Sequence, residues 1–466
     1  MNAIRLSVFA ACLCWAIAAS ADETSANAGD WGKFEVGVAA AHLEITGTAG
    51  ERRPLDLLFW YPADRQSYRS GTPVVYTSRL NGIKLDPARW DPGSWSVAAE
   101  RARQGVAVDQ YGPAFPLIIV SHPAQSQPYN YGPLLERLAS HGYVIAAPYH
   151  EGDTQEDRII DLINQRAGSK IVTCFDGGPS PCQDGAQKAV QNRARDLAAI
   201  LDSIGEYFGE RVDTARVGLL GHSRGTITAL AAAGGSIAWN IQPEPRISGI
   251  MMQAIGMPDI TGAQDVHEIR IPALFVAGKI DRNTPMPISV AAFEEMPGTD
   301  KALVILERGE HGVYSSQRCA QMQAVGAIYQ ANSRALAEQL LLENILISAN
   351  SGTALDYCTF DFFVNPVDIR PTVKAVTGFD VTPDNVPRSL DTVTAMRVIL
   401  ELANTFFDAV LVKQGQPGVH FKQYLAPAFL LEKEGQVVSY AESRSFQGRE
   451  VACRDPDLRA LDEACP

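Results

Sequence analysis

A chain of 466 residues has room for about three domains of roughly 150 residues each, or for one large α/β sheet. Hydrophobic residues make up 46% and charged residues 20%, which excludes a disordered chain, a collagen-like repeat and a polytopic membrane protein. With 40 Lys plus Arg against 53 Asp plus Glu the net charge is -13, so nucleic acid and anionic membrane surfaces are poor partners.

At the N-terminus, Arg5 precedes an apolar stretch from Leu6 to Ala18, and Ala19-Ser20-Ala21 supplies a small-x-small cleavage pattern. Residues 1–21 therefore read as a signal peptide cut before Asp22, and the mature chain as exported, periplasmic or secreted. Ala10-Ala11-Cys12 is only a partial lipidation signal, with Phe9 where Leu usually stands. No later segment reaches the roughly 18 apolar residues of a membrane-spanning helix, so no integral membrane segment is expected in the mature chain. Besides Cys12 and Cys14 there are Cys174, Cys182, Cys319, Cys358, Cys453 and Cys465, an even number that points to disulfides in an exported protein. Many pairings are open; loop-sized gaps favour Cys174–Cys182 and Cys453–Cys465, which leaves Cys319–Cys358.

The remaining chain alternates strand and helix patterns. Leu55 to Pro62 reads as a strand, residues 63–112 as an irregular excursion, and Pro116 to Val120 as a buried parallel strand. Tyr131 to Ser140 has helical spacing, Tyr143 to Ala147 strand pattern, residues 155–190 interrupt the alternation and hold the candidate Cys174–Cys182 loop, and Ala194 to Ile204 is helical. Val217 to Leu220 is a strand followed by a helix from Gly225 to Ala233. Strand patterns follow at Gly249 to Ala254, Ala273 to Val276 and Leu303 to Leu306. An insertion, 313–390, carries a helical pattern from Met322 to Ile347, and Asp391 to Val412 reads as a final amphipathic helix. Such alternation predicts an α/β fold with a doubly wound, mostly parallel sheet. Residues 413–466 show no assignable pattern.

Gly221-His222-Ser223-Arg224-Gly225 stands directly between a strand and an Ala-rich helix. A tight strand-to-helix turn needs small flanking residues and lifts the central hydroxyl above the sheet, at a helix N-terminus suited to an oxyanion. Ser223 is therefore the candidate nucleophile. A serine hydroxyl needs a base, and of the histidines only His311, in Arg308-Gly309-Glu310-His311-Gly312, directly follows the last strand pattern, His42 and His420 lying in peripheral segments. His222 reads as a packed neighbour, and His141 and His150 as flanks of an early strand. Asp281, past the Ala273 strand, is the candidate acid that orients the imidazole; Asp259, after the preceding strand, is its competitor.

Together with Trp60-Tyr61-Pro62, Ser121-His122-Pro123 and Leu138-Ala139-Ser140-His141-Gly142-Tyr143, these motifs resemble the bacterial α/β-hydrolases related to platelet-activating factor acetylhydrolase (isoform II) and dienelactone hydrolase. The resemblance runs from about residue 31 to 312 and resumes near 391–412. It implies an α/β-hydrolase fold with a helical cap-like insertion, and oxyanion donors at the amides of Arg224 and Ala124. Two departures stand out. Pro123 replaces a family glycine and has no N–H to give, and the preceding strand offers Gln253 where the mammalian acetylhydrolases carry their acid. Ser223, in place of the cysteine of dienelactone hydrolases, favours esters.

The expected division is a signal peptide (1–21), a hydrolase domain (22–412, with insertion 313–390) and a C-terminal extension (413–466). The expected activity is serine ester hydrolysis through an acyl-enzyme, on a small ester with a short acyl chain, with no metal and no organic cofactor. The same triad would also serve a polyesterase, a lipase, an acyltransferase or an amidase, and the fold alone would serve a binding protein. The insertion leaves the core directly after His311. Phe360, Phe362 and Phe363 would line the pocket of a lid braced by Cys319–Cys358, or anchor the insertion on the core.

Overall fold

The apolar run that follows Ala114 is buried along its whole length, from Phe115 to Ser121, as a strand covered on both faces must be. It lies inside a twelve-stranded sheet in the computed structural model, which describes residues 31–77, 96–157, 179–315, 390–412 and 425–466 apart from short interruptions. In chain order the strands are β1 (Glu35–Thr46), β2 (Arg52–Ala63), β3 (Thr72–Thr77), β4 (Ser96–Gln104), β5 (Phe115–Ser121) and β6 (Val144–Pro148), then β7 (Val212–His222), β8 (Ile247–Gln253), β9 (Ala273–Gly278), β10 (Lys301–Leu306), β11 (Val438–Ser445) and β12 (Gly448–Cys453). Their spatial order is β12-β11-β10-β9-β8-β7-β5-β6-β2-β1-β4-β3.

From β6 through β5 and β7 to β10 neighbouring strands run parallel, and β2 and β11 join this block antiparallel on either side. The sheet is thus parallel through its central block, as expected, and mixed toward its two edges. The outer pairs β1–β2 and β11–β12 are antiparallel for a local reason: residues 47–51 and 446–447 join them, and loops that short cannot make the crossover parallel neighbours need. From β5 the chain moves one way to β6, then returns past β5 to β7. The strand order therefore reverses between β5 and β7, where open α/β sheets leave a crevice at their carboxyl ends.

Alternate side chains of β5 face two separate cores. Ile118 and Val120 pack with the helices Gly132–Ser140 and Thr392–Phe407. Leu117 and Ile119 pack with the helices Pro179–Phe208, Arg224–Gly234 and Met286–Glu295. Helices on both faces make the sheet doubly wound. The helix Pro179–Phe208 begins well before Ala194; Gln183, Asp184, Gln187 and Lys188 in its first half leave no apolar stripe to read there. Among the described residues no helix is long and apolar enough to cross a membrane.

Beyond residue 412 a helix, Pro427–Glu434, and the strands β11 and β12 continue the sheet past β10. β11 (VSYAESRS) is hard to read as a strand because part of what it buries is polar. Glu442, 2% exposed, accepts hydrogen bonds from Tyr440 Oη at 2.6 Å, Arg444 Nε at 2.7 Å and Arg449 Nε at 2.6 Å. Burial pushes this carboxyl up, yet those donors bring it below its ordinary value.

Cys453, at the end of β12, is bonded to Cys465, one of the two pairings that spacing favours. Closing a loop with a sequence separation of 12 restricts the unfolded chain, an effect of about 2–3 kcal/mol for loops of this size. Replacing both cysteines by serine should lower the unfolding free energy by that amount and the guanidinium midpoint with it, while m rises because the freed unfolded chain expands. An unmoved midpoint would mean that the β11–β12 pairing holds without the bridge. Residues 1–21, Cys174, Cys319 and Cys358, Phe360, Phe362 and Phe363, and Asp259 lie outside the described residues.

Candidate active site

β7 runs directly into the helix Arg224–Gly234, and Ser223 is the single residue between them. Its backbone sits at φ 53°, ψ -116°, a conformation that costs a residue with a side chain on the order of 1–3 kcal/mol. Two glycines permit the turn. A Cβ on Gly221 would lie 2.4 Å from the carbonyl oxygen of Gly225, and one on Gly225 would lie 1.9 Å from that of Ser121. The turn is pinned by hydrogen bonds from Ser223 N–H to Gln253 O at 3.0 Å and from Thr226 N–H to Ser223 O at 2.9 Å.

Ser223, His311 and Asp281 meet at the carboxyl ends of β7, β9 and β10. His311 Nε2 lies 3.0 Å from Ser223 Oγ, and its Nδ1 lies 2.9 Å from Asp281 Oδ2. The geometry fits one tautomer, in which Nδ1–H donates to the carboxylate and Nε2 accepts from the serine hydroxyl. Asp281 is 3% exposed, and its remaining capacity is used by Thr284, whose N–H donates to Oδ1 at 2.9 Å and whose hydroxyl donates to Oδ2 at 2.8 Å. The two loops are tied by a backbone hydrogen bond from Ile280 N–H to Gly309 O at 3.1 Å. His222 is buried beside them: its Nδ1 lies 2.5 Å from the Tyr131 hydroxyl, and its ring lies 5.0 Å from that of His311.

Ala124 and Arg224 occupy equivalent places in neighbouring loops. Ser121 of β5 is paired with Gly221 of β7, and each of the two residues follows three positions later. Ala124 lies in a half-buried turn and Arg224 opens the helix. The carbonyl of Pro123 lies 2.6 Å from His122 Nδ1.

Behind this surface lies a buried polar network that the sequence motifs do not announce. Arg193 and Asp153 form an ion pair at 2.7 Å, and Asp153 also pairs with Arg224 at 2.5 Å. Burial raises the Asp153 carboxyl, but Arg224 and Arg193 overcome that and hold it at about 2. Beside them, Ser121 Oγ lies 3.0 Å from His150 Nε2, and His150 Nδ1 lies 2.7 Å from Asp196 Oδ2. This repeats the atom order of the Ser223 group, yet Ser121 and Asp196 are 0% and His150 1% exposed. Burial pushes Asp196 up to about 6 against the opposing pull of Arg53, and pushes His150 well down. A cavity of about 490 Å³ adjoins the network and is lined by His150, Asp153, Arg193 and Asp196 among others, but by neither Ser223 nor His311. One sequence signal could have exposed the network: Arg193 stands in register with Val190, Leu197, Ile200 and Ile204, a stripe otherwise apolar and buried.

No protein-family model matches the sequence, and no curated protein does. Among solved structures the chain is similar to a ferulic acid esterase from Streptomyces cinnamoneus, at 18% identity and a TM-score of 0.45, covering 83% of this chain and 92% of that one. It is also similar to a cold-adapted esterase from an Arctic intertidal metagenomic library, at 13% identity and a TM-score of 0.37, covering 64% of this chain and 94% of that one.

Proposed function

We propose that the chain is an exported serine carboxylic-ester hydrolase of the α/β-hydrolase fold. The observation that carries this reading is the line Ser223 Oγ–His311–Asp281, with hydrogen-bond distances of 3.0 and 2.9 Å, on an elbow whose serine is held at φ 53°. His311 takes the hydroxyl proton as Ser223 attacks an ester carbonyl, and the Asp281 carboxylate stabilises the imidazolium that forms. The amides of Arg224 and Ala124 hold the tetrahedral oxyanion, each such donor lowering the barrier by about 3 kcal/mol in comparable sites. His311 then protonates the leaving alcohol, and water repeats the cycle on the acyl-enzyme. The residues need no metal or organic cofactor for these steps. The substrate is a small ester with a short acyl chain, in keeping with the acetylhydrolase-like motifs. The Cys453–Cys465 bridge fits an oxidising compartment.

Labelling with a fluorophosphonate followed by peptide mapping tests the reading, because the buried Ser121 group is an internal competitor. The expected adduct is on Ser223. An adduct on Ser121 would move the chemistry to the other group, and no adduct together with no hydrolysis of p-nitrophenyl acetate would end the hydrolase reading. A p-nitrophenyl ester panel of increasing length should show kcat/KM highest at acetate or butyrate; a maximum at long chains would indicate a lipase.

A further inference from the structure

The amides of Ala124 and Arg224 come just past the ends of β5 and β7, beyond the last ladder pair Ser121–Gly221, where side chains can brace the two loops against each other. One buried cluster spans the two loops. Asp153 accepts from Arg224 Nη1 at 2.5 Å through Oδ1, and from Arg193 Nε at 3.0 Å and Nη2 at 2.7 Å through Oδ2. Arg193 then reaches the other loop: Nη1 donates to His122 O at 2.5 Å and to Ser121 Oγ at 3.2 Å, and Nη2 donates to Pro123 O at 3.3 Å. All five N–H donors of the guanidinium are used in this way. The hydroxyl of Ser121 passes its own hydrogen bond to His150, which is held by Asp196 on the same helix as Arg193.

A buried ion pair adds little to stability over apolar residues of similar size, because desolvation offsets the attraction. Arg193, 1% exposed, fills a stripe position where an apolar side chain would pack. Its bonds go to the carbonyls just before Ala124 and, through Asp153, to the residue just after the nucleophile.

We propose that Asp153 and Arg193 are positioning residues that hold the Ala124 and Arg224 amides at the separation an ester oxyanion requires. The proposal rests on the ester-hydrolase reading and adds to it the groups that pre-organise the hole. Oxyanion donors act only if they are already in place when charge develops. A carboxylate bonded to both sides, with the Arg193 guanidinium fixed by further bonds to Ser121, His122 and Pro123, restrains the two loops from spreading.

Asp153→Asn keeps the shape of the side chain and removes its charge. With p-nitrophenyl acetate, kcat should fall about tenfold to a hundredfold while KM stays within about twofold, as expected when aligned groups are displaced by a fraction of an ångström. Affinity for a trifluoromethyl ketone, which places an oxyanion in the same hole, should fall by the same factor as kcat/KM. A purely structural role would lower Tm and leave kcat and ketone affinity per folded molecule at wild-type values; that result overturns the proposal. If Asp153→Asn does not fold, Arg224→Gln decides. That side chain is 22% exposed, and the change cuts only the elbow end of the brace while keeping the backbone amide. Parallel losses in kcat and ketone affinity support the brace, and unchanged values overturn it. The wild-type protein separates the two levels. If it neither hydrolyses esters nor binds the ketone, the hydrolase reading fails; if it does both and the variants match it, only the brace fails.

Discussion

Replacing Ser223 by alanine is expected to lower ester turnover by about a millionfold, the loss seen when a triad serine is removed. The size of the effect follows from what remains. His311 and Asp281 would still be in place, but with no hydroxyl 3.0 Å from Nε2 there is nothing for the imidazole to activate except water. The fold should be unaffected. The elbow is held by the Ser223 backbone, through Gln253 O and Thr226 N, and by the two glycines beside it, none of which the change removes. Melting temperature should therefore match the wild type, and active-site titration with a p-nitrophenyl ester should show no burst. Retention of more than about a tenth of the activity, against a loss expected to span orders of magnitude, would make the elbow a structural turn.

Asp281→Asn is expected to lower kcat by about ten-thousandfold. An amide at this position would offer an N–H to His311 Nδ1, and the imidazole would turn to the tautomer that carries its proton on Nε2, facing Ser223. It could then no longer accept the serine proton. Thr284 adds detail to the expectation. Its hydroxyl lies 2.8 Å from Asp281 Oδ2 and 3.1 Å from His311 Nδ1, so it helps to aim the carboxylate but cannot replace its charge. Thr284→Val should accordingly cost far less than Asp281→Asn when kcat is compared at the same pH. Asp259→Asn should leave kcat near wild type. The opposite ranking of the two Asn variants would transfer the acid's role to the end of the preceding strand.

The elbow was legible in the sequence because its constraint is local. Within Gly221-His222-Ser223-Arg224-Gly225 the chain must turn so sharply that a Cβ at Gly221 would meet the carbonyl of Gly225, and no distant residue alters that. Asp281 and His311 were legible for a related reason. Each follows a short, wholly buried run, Ala273–Gly278 or Lys301–Leu306, and parallel strands bring their carboxyl ends to one edge of the sheet whatever else the chain does. The Cys453–Cys465 pairing was favoured by a short gap alone.

Other features depended on neighbours that no window of sequence contains. β1 (EVGVAAAHLEIT) and β11 (VSYAESRS) carry weak apolar patterns. They become strands because β2 and β10 offer unpaired edges, a backbone demand indifferent to side chains. Arg193 and Asp153 stand in no motif, and His150 reads only as a strand flank. Only the packing of the helix Pro179–Phe208 against the loops after β5 and β6 buries them together. Once buried, each must find a partner, since an unpaired charge in that setting costs several kcal/mol. The sequence by itself determined where Ser223, Asp281 and His311 stand, at a tight turn and just past two strand ends, because these are short-range matters of sterics. The tertiary structure decided how those residues are held, because the partner of a buried charge is chosen by the fold around it.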